Sequence, residues 1–232
     1  MTTTQTPVQA RLEAVRERIA RACDRYGRAP DSVTLVAVSK TQPADAVGEA
    51  LGAGQHHFGE NYVQEGIAKI ESFSASTGLV WHFIGPIQSN KTRAIARNFQ
   101  WVHTIDRDKV AKRLSDQRDQ GMPPICVCLE VNISGELSKS GVAPIDLPAL
   151  AESVATLPGL HLRGLMAIPE PTTDEVLSRR RFAQLRELLD SLNQLGHKMD
   201  TLSMGMTTDM EAAIAEGATL VRIGTAIFGE RK

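Results

Sequence analysis

The sequence predicts an α/β protein, a single closed (β/α)₈ TIM barrel with one extra helix at its N-terminus. Three observations lead there. Short apolar runs alternate with helical patterns from residue 33 onward, these runs number eight, and no Gly-x-Gly-x-x-Gly turn follows the first of them. Strict alternation implies parallel strands joined by right-handed crossovers. Eight such units in about 200 residues fit closure better than an open doubly wound sheet, whose fingerprint turn is missing here.

Residues 8–26 place Leu12, Val15, Ile19, Ala20 and Cys23 on a helical stripe among arginines and glutamates, which predicts the added helix. Gly27 to Asp31 break it, and Val33-Thr34-Leu35-Val36-Ala37-Val38-Ser39-Lys40 opens a barrel spanning 33–229. That run is short, lacks a helical period and is rich in β-branched residues, as suits a strand covered on both faces. A helix over 43–54 has Pro43 in its first turn and Gly52 or Gly54 near its end. The pattern then repeats. Strand 56–61 precedes helix 62–73, strand 80–85 precedes helix 89–98, and strand 101–106 precedes helix 108–120. Strand 125–133 leads to a helix ending near Leu157, and strand 160–168 to a long helix over 174–195. Strand 201–206 leads to helix 209–216, and 220–228 is the eighth strand. Nothing inside residues 1–232 resembles a linker, so one domain is expected.

The 232 residues carry a net charge of -1 with 23% charged side chains, which argues against a nucleic-acid partner and for a small, roughly neutral one. The polar start, Met1 to Pro7, lacks the charged and apolar regions of a signal peptide. No apolar run approaches membrane-spanning length, so a cytoplasmic protein with no membrane association is expected. Cys23, Cys126 and Cys128 have neither metal nor redox spacing and read as small core or near-surface residues.

In such a barrel, function sits at the C-terminal ends of the strands. Those ends carry Lys40, Glu60-Asn61, His82, Gly85-Pro86, Asp106, Asn132 and Met166. The seventh and eighth add Ser203-Met204-Gly205-Met206-Thr207 and Arg222-Ile223-Gly224-Thr225. Asn61 and Asp106 also suit helix caps, His82 a core histidine and Lys40 a lysine snorkelling to solvent. At the exit of an apolar strand, however, desolvation and nearby positive charge lower a lysine's pKa toward the nucleophilic amine of a Schiff-base lysine. Barrels hold phosphates between the loops after strands seven and eight, and both loops here offer hydroxyls and glycines that admit an anion to backbone N–H groups. A phosphate cup and a Schiff-base lysine at one mouth match pyridoxal 5'-phosphate (PLP), whose aldehyde and phosphate lie on opposite sides of its ring. Arg222, if it reaches the pyridine nitrogen, keeps that atom unprotonated and restrains the ring as an electron sink. Its ordinary alternative is an ion pair at the barrel rim.

The residues then become recognisable. Ala37-Val38-Ser39-Lys40, His57-Phe58-Gly59-Glu60-Asn61, Trp81-His82-Phe83-Ile84-Gly85, Lys139-Ser140-Gly141, Gly164-Leu165-Met166, Leu202-Ser203-Met204-Gly205-Met206 and Val221-Arg222-Ile223-Gly224 occur in this order. Together they closely resemble the pyridoxal phosphate homeostasis proteins, relatives of the barrel half of alanine racemase and of the fold-type III decarboxylases. The resemblance spans nearly the whole chain after residue 8. It implies that Lys40 carries PLP as a Schiff base, that Ser203, Gly224 and Thr225 bind its phosphate, and that Arg222 faces the pyridine nitrogen. Asn61, His82, Met166, Met204 and Gly205 are expected as further cofactor contacts. It also implies a cytosolic carrier and regulator of vitamin B6 pools, with PLP-dependent apo-enzymes as recipients and no established reaction. A monomer is the expected state. One departure is Met206-Thr207-Thr208-Asp209, where many relatives show Met-Ser-x-Asp, and threonine keeps the hydroxyl.

Two other readings compete. A racemase or decarboxylase like alanine racemase needs a second acid/base group opposite the lysine, for which the sequence, ending at Lys232, offers His82 as its best internal candidate. A cofactor-free barrel binding a sugar phosphate would use the same cup and leave Lys40 unmodified.

Overall fold

The computed structural model describes residues 6–135 and 140–230, so Lys139 of the Lys139-Ser140-Gly141 motif lies outside the described residues. Its strands are β1 (Thr34–Val38), β2 (His57–Glu60), β3 (Val80–Phe83), β4 (Trp101–Ile105), β5 (Ile125–Glu130), β6 (Leu160–Met166), β7 (Thr201–Ser203) and β8 (Leu220–Ile223). They pair in chain order, all parallel, and β1 pairs with β8 to close the barrel. The helices are α1 (Pro7–Arg25), α2 (Ala44–Gly52), α3 (Val63–Ser72), α4 (Thr92–Asn98), α5 (Asp108–Asp116), α6 (Leu147–Ala155), α7 (Glu175–Gln194), α8 (Met210–Ala215) and α9 (Thr225–Phe228).

The added helix starts where its chemistry demands. Thr6 accepts from the Gln9 N–H while the Gln9 side chain accepts from the Thr6 N–H, a reciprocal capping box just ahead of Pro7. Its stripe of Leu12, Val15, Ile19 and Cys23 is buried, and α1 packs against α2, α8 and α9 across the seam where the barrel closes. Arg18 pairs with Glu211 of α8 at 2.8 Å, and Arg28 donates to the carbonyls of Ile214 and Ala218. The barrel seam is therefore tied from outside.

The last strands are shorter than the sequence suggests. β7 stops at Ser203 because Gly205 turns with φ 94, and a Cβ there would stand 2.6 Å from the Ala213 Cβ. β8 stops at Ile223, and the expected continuation to residue 228 is instead α9, with Ile227 and Phe228 buried. A short apolar run does not by itself separate strand from helix. β5 likewise ends at Glu130, after which Val131 makes an isolated bridge to Val142. The expected helix to residue 120 ends at Asp116, before a polar stretch leading to Gly121 with φ 88.

Cys23 and Cys128 are buried, Cys126 is half-buried, and all three are free thiols. Burial pushes the Cys128 thiol well above its ordinary range, as expected of an inert core residue. Among the described residues, no helix is long and apolar enough to cross a membrane, and no side-chain cluster has the ligands for a metal ion.

Candidate functional site

Beyond Val38 the chain leaves the barrel through Ser39, Lys40 and Thr41. Thr41 lies in the left-handed region at φ 63, uncommon for a β-branched residue, and its N–H donates to Glu65 Oε1 at 2.5 Å. The same Glu65 oxygen accepts from Lys69 Nζ at 2.7 Å, while Lys69 also donates to the Ser39 carbonyl at 2.5 Å and to Glu60 Oε1 at 2.7 Å. The Ser39 hydroxyl donates to Glu60 Oε1 at 2.6 Å. All three ammonium donors of Lys69 are thus spent on groups that hold the backbone on either side of Lys40. Lys40 itself is half-buried.

Lys40 lines a cavity of about 250 Å³ at the C-terminal end of the barrel, with Val38, Asn61, Ile84 and Ile168 beside it. Met206, Thr207 and Thr208 enter from the loop after β7, and Arg222, Gly224 and Thr225 from the end of β8. Five of the expected residues, Lys40, Asn61, Arg222, Gly224 and Thr225, therefore meet at one mouth. Larger cavities lie elsewhere, about 340 Å³ beneath α1, about 590 Å³ beside residues 169–173 and about 390 Å³ beside Lys91, and none of these three brings a lysine together with Arg222 and Thr225. Chemistry, not size, selects the mouth.

Asn61 is held close to the neighbouring strand exit, where a Cβ on Gly85 would fall 2.2 Å from the Asn61 carbonyl oxygen. Its side-chain Oδ1 is buried and has no hydrogen-bond partner among the described residues. A buried acceptor without a donor is uncommon, and here it belongs to a residue of the cavity wall.

Arg222 is 4% exposed. Its Nη1 donates to Ser203 Oγ at 2.6 Å and its Nη2 to the Ala167 carbonyl at 3.1 Å. Burial lowers the guanidinium to about 10, opposed by Asp209, Cys128 and Glu130, so it stays cationic at neutral pH. Asp209 also accepts the Met206 N–H at 2.6 Å, which shapes the loop carrying Thr207 and Thr208. Glu130, at the end of β5, is pushed up to about 7 by burial and by Asp106, with Arg222 opposing.

His82, Met166, Ser203, Met204 and Gly205 do not belong to the cavity wall. Ser203 is fully buried and spends its hydroxyl on Arg222 and His103. The hydroxyls that do line the mouth on this side belong to Thr207, Thr208 and Thr225. Thr207 and Thr208 lie in the expected loop; the turn at Gly205, not residue type, decides which hydroxyl reaches the mouth. Met166 is paired with Ser203 and Glu130 and is fully buried. Both His82 nitrogens are engaged, Nε2 by His57 at 3.0 Å and Nδ1 by His103 at 2.9 Å, and its ring stacks on Trp101. Burial holds the His82 and His103 rings well below the ordinary histidine range, so both are neutral. Lys69, His103 and Glu130 carry no strand-exit signal in the sequence, although Glu130 does end an otherwise apolar run.

The family model for the N-terminal domain of alanine racemase matches residues 10–232. A pyridoxal phosphate homeostasis protein of Pseudomonas aeruginosa is 62% identical over 220 residues, covering 95% of this chain and 94% of its own. The structure of PipY from Synechococcus elongatus with PLP bound superposes with TM-score 0.80 at 40% identity, covering 91% of this chain and 100% of that one. Alanine racemase of Corynebacterium glutamicum shares the barrel alone, with TM-score 0.67 and 17% identity, and this chain covers 60% of its length. The polypeptide that builds this lysine-lined mouth belongs to the pyridoxal phosphate homeostasis protein family, on the barrel of the alanine racemase N-terminal domain.

Proposed function

We propose that the chain binds PLP at the barrel mouth, with Lys40 Nζ as the atom that bonds the cofactor's aldehyde carbon. In this reading it is a carrier and regulator of the free cofactor in the cytoplasm. The observation that carries it is the meeting of Lys40 with Thr207, Gly224 and Thr225 around one cavity. PLP supplies an electrophilic aldehyde and an electron-withdrawing ring when bound. Everything else is the work of this chain's residues.

The Thr207 and Thr225 hydroxyls, with the backbone at Gly224, hold the phosphate dianion. Arg222 donates to the pyridine nitrogen and keeps it unprotonated, because a guanidinium cannot accept a proton. Asn61 Oδ1, buried with no donor among the described residues, fits a donor group on the cofactor. The Lys69 bonds to Ser39 and through Glu65 to Thr41 fix the backbone from which the Lys40 amine extends. The likeness to PipY, solved with PLP bound, supports the same occupant here.

The carrier reading is favoured over a racemase by what surrounds the lysine. Among the described residues of the cavity wall, Lys40 and Arg222 alone are ionisable. Racemisation needs acid/base groups on both faces of the substrate. His82, the internal candidate, is enclosed between His57 and His103. The chain acts as a monomeric single domain that yields PLP to apo-enzymes.

The test incubates PLP-loaded protein with single L- and D-amino acids in heavy water, and separately with an apo-enzyme that needs the cofactor. Apo-enzyme activation without α-deuteration is expected. Rapid deuteration that depends on Lys40 overturns the carrier reading in favour of a racemase. Failure of the purified protein to develop visible absorbance with PLP favours a cofactor-free phosphate barrel instead.

A further inference from the structure

The barrel interior holds a line of polar side chains that anchoring a cofactor does not require. His57 Nδ1 lies 3.0 Å from His82 Nε2, His82 Nδ1 lies 2.9 Å from His103 Nε2, and His103 Nδ1 lies 2.7 Å from Ser203 Oγ. Arg222 Nη1 then donates to that Ser203 oxygen at 2.6 Å. The five residues come from β2, β3, β4, β7 and β8, so the line crosses the barrel from wall to wall. Its ends open on opposite faces. Arg222 lines the mouth, and His57 lines the cleft of about 340 Å³ at the N-terminal ends of the strands.

Proton counting gives the line a direction. A guanidinium only donates, so its N–H takes one lone pair of Ser203 Oγ. Among the described residues the Ser203 hydroxyl has one other partner, His103 Nδ1, to which its single proton must go. His103 therefore carries its own proton on Nε2 and donates it to His82 Nδ1. His82 does the same toward His57 Nδ1. The reverse direction would have Ser203 Oγ accept from both Arg222 and the His103 Nδ1–H, leaving the serine's own buried proton without an acceptor among the described residues. With His82 and His103 kept neutral by burial, this arrangement alone makes every bond in the line and also gives the buried Ser203 proton an acceptor.

We propose that His103, His82 and His57 are positioning residues for Arg222. They turn the Ser203 hydroxyl so that its lone pair meets Nη1, and thereby fix the edge of the guanidinium presented at the mouth. Buried hydrogen bonds in series polarise one another, so the order extends from the N-terminal cleft to the mouth. This rests on the reading of Arg222 as the donor to the cofactor ring.

The first test needs no cofactor. Nitrogen NMR of histidine-labelled, ligand-free protein near neutral pH should show His82 and His103 as neutral rings protonated on Nε2. An Nδ1–H tautomer or an imidazolium at either overturns the proposal. The second test compares His103→Leu with His103→Gln after PLP loading, read by the visible absorption maximum and the pyridine nitrogen shift. The leucine variant should move both signals and weaken retention about tenfold, the scale of one charge-assisted hydrogen bond, with glutamine restoring them in part. A folded leucine variant with unmoved signals contradicts the proposal. If that variant does not fold, His57→Leu at the half-buried end replaces it, and His82 should then show mixed tautomers; an unchanged His82 counts against the line. Should the parent protein take up no PLP, the functional reading fails while the tautomer result still decides this one.

Discussion

Lys69 Nζ lies 2.7 Å from Glu60 Oε1, and the two side chains are only 5% and 0% exposed. This pair stands directly behind the segment that carries Lys40, because Lys69 also grips the Ser39 carbonyl and Glu65, which in turn holds the Thr41 N–H. A buried ion pair is weak evidence of net stability, yet removing one partner strands the other charge in low dielectric. Lys69→Met should therefore destabilise the fold by about 3–5 kcal/mol, read by urea unfolding. Adding Glu60→Gln should recover part of that loss. A single-variant loss under about 1 kcal/mol would contradict the clamp.

Glu130 gives a pH prediction. Its folded value of about 7 stands above the ordinary 4.5, so the folded state holds this proton more tightly than the unfolded chain does. Its stabilising contribution is complete below 4.5 and is lost as pH rises through about 7. The loss amounts to at most about 3 kcal/mol. Glu130→Gln should be nearly neutral in acid and stabilising above pH 7, so the gap between the two unfolding curves widens with pH. A gap that stays constant across that range refutes the assignment.

The phosphate cup predicts a selective loss. Thr207→Val and Thr225→Val should each weaken retention of PLP about tenfold or more, the scale of a hydrogen bond to a charged group, and barely affect pyridoxal, which lacks the phosphate. Equilibrium dialysis with both forms makes the comparison. Equal weakening of the two removes these hydroxyls from the phosphate site.

Arg222→Glu replaces a donor that cannot accept a proton with a carboxyl that can share one. The bound ring nitrogen should become protonated, with a large shift in its nitrogen NMR signal. Full occupancy with an unchanged ring signal would mean that Arg222 does not face that nitrogen.

The barrel was legible because its signal is local. The run from Val33 to Val38 and its counterparts each announce a strand within a few residues, and their count implies closure. Lys40, Gly224 and Thr225 were legible for the same reason, each following a strand at its C-terminal end. What stayed hidden depends on contacts between distant segments. Lys69 sits within a helix between Ala68 and Ile70, far from any strand end, and its burial comes from Glu60 of β2 and the Ser39 carbonyl at the β1 exit. Ser203 and Thr207 both lie in the loop expected to hold an anion, and the turn at Gly205 decides that Thr207 reaches the mouth while Ser203 faces His103. His82 looked like a site residue because it lies near a strand end, whereas its partners arrive from β2 and β4.

The most direct test of the central claim, that the mouth lysine holds the cofactor, is borohydride reduction of the PLP-loaded protein followed by peptide mass mapping. The account predicts one stable adduct, on the peptide that contains Lys40, and its loss in Lys40→Ala. A principal adduct on any other lysine, such as Lys139 or Lys69, would contradict it.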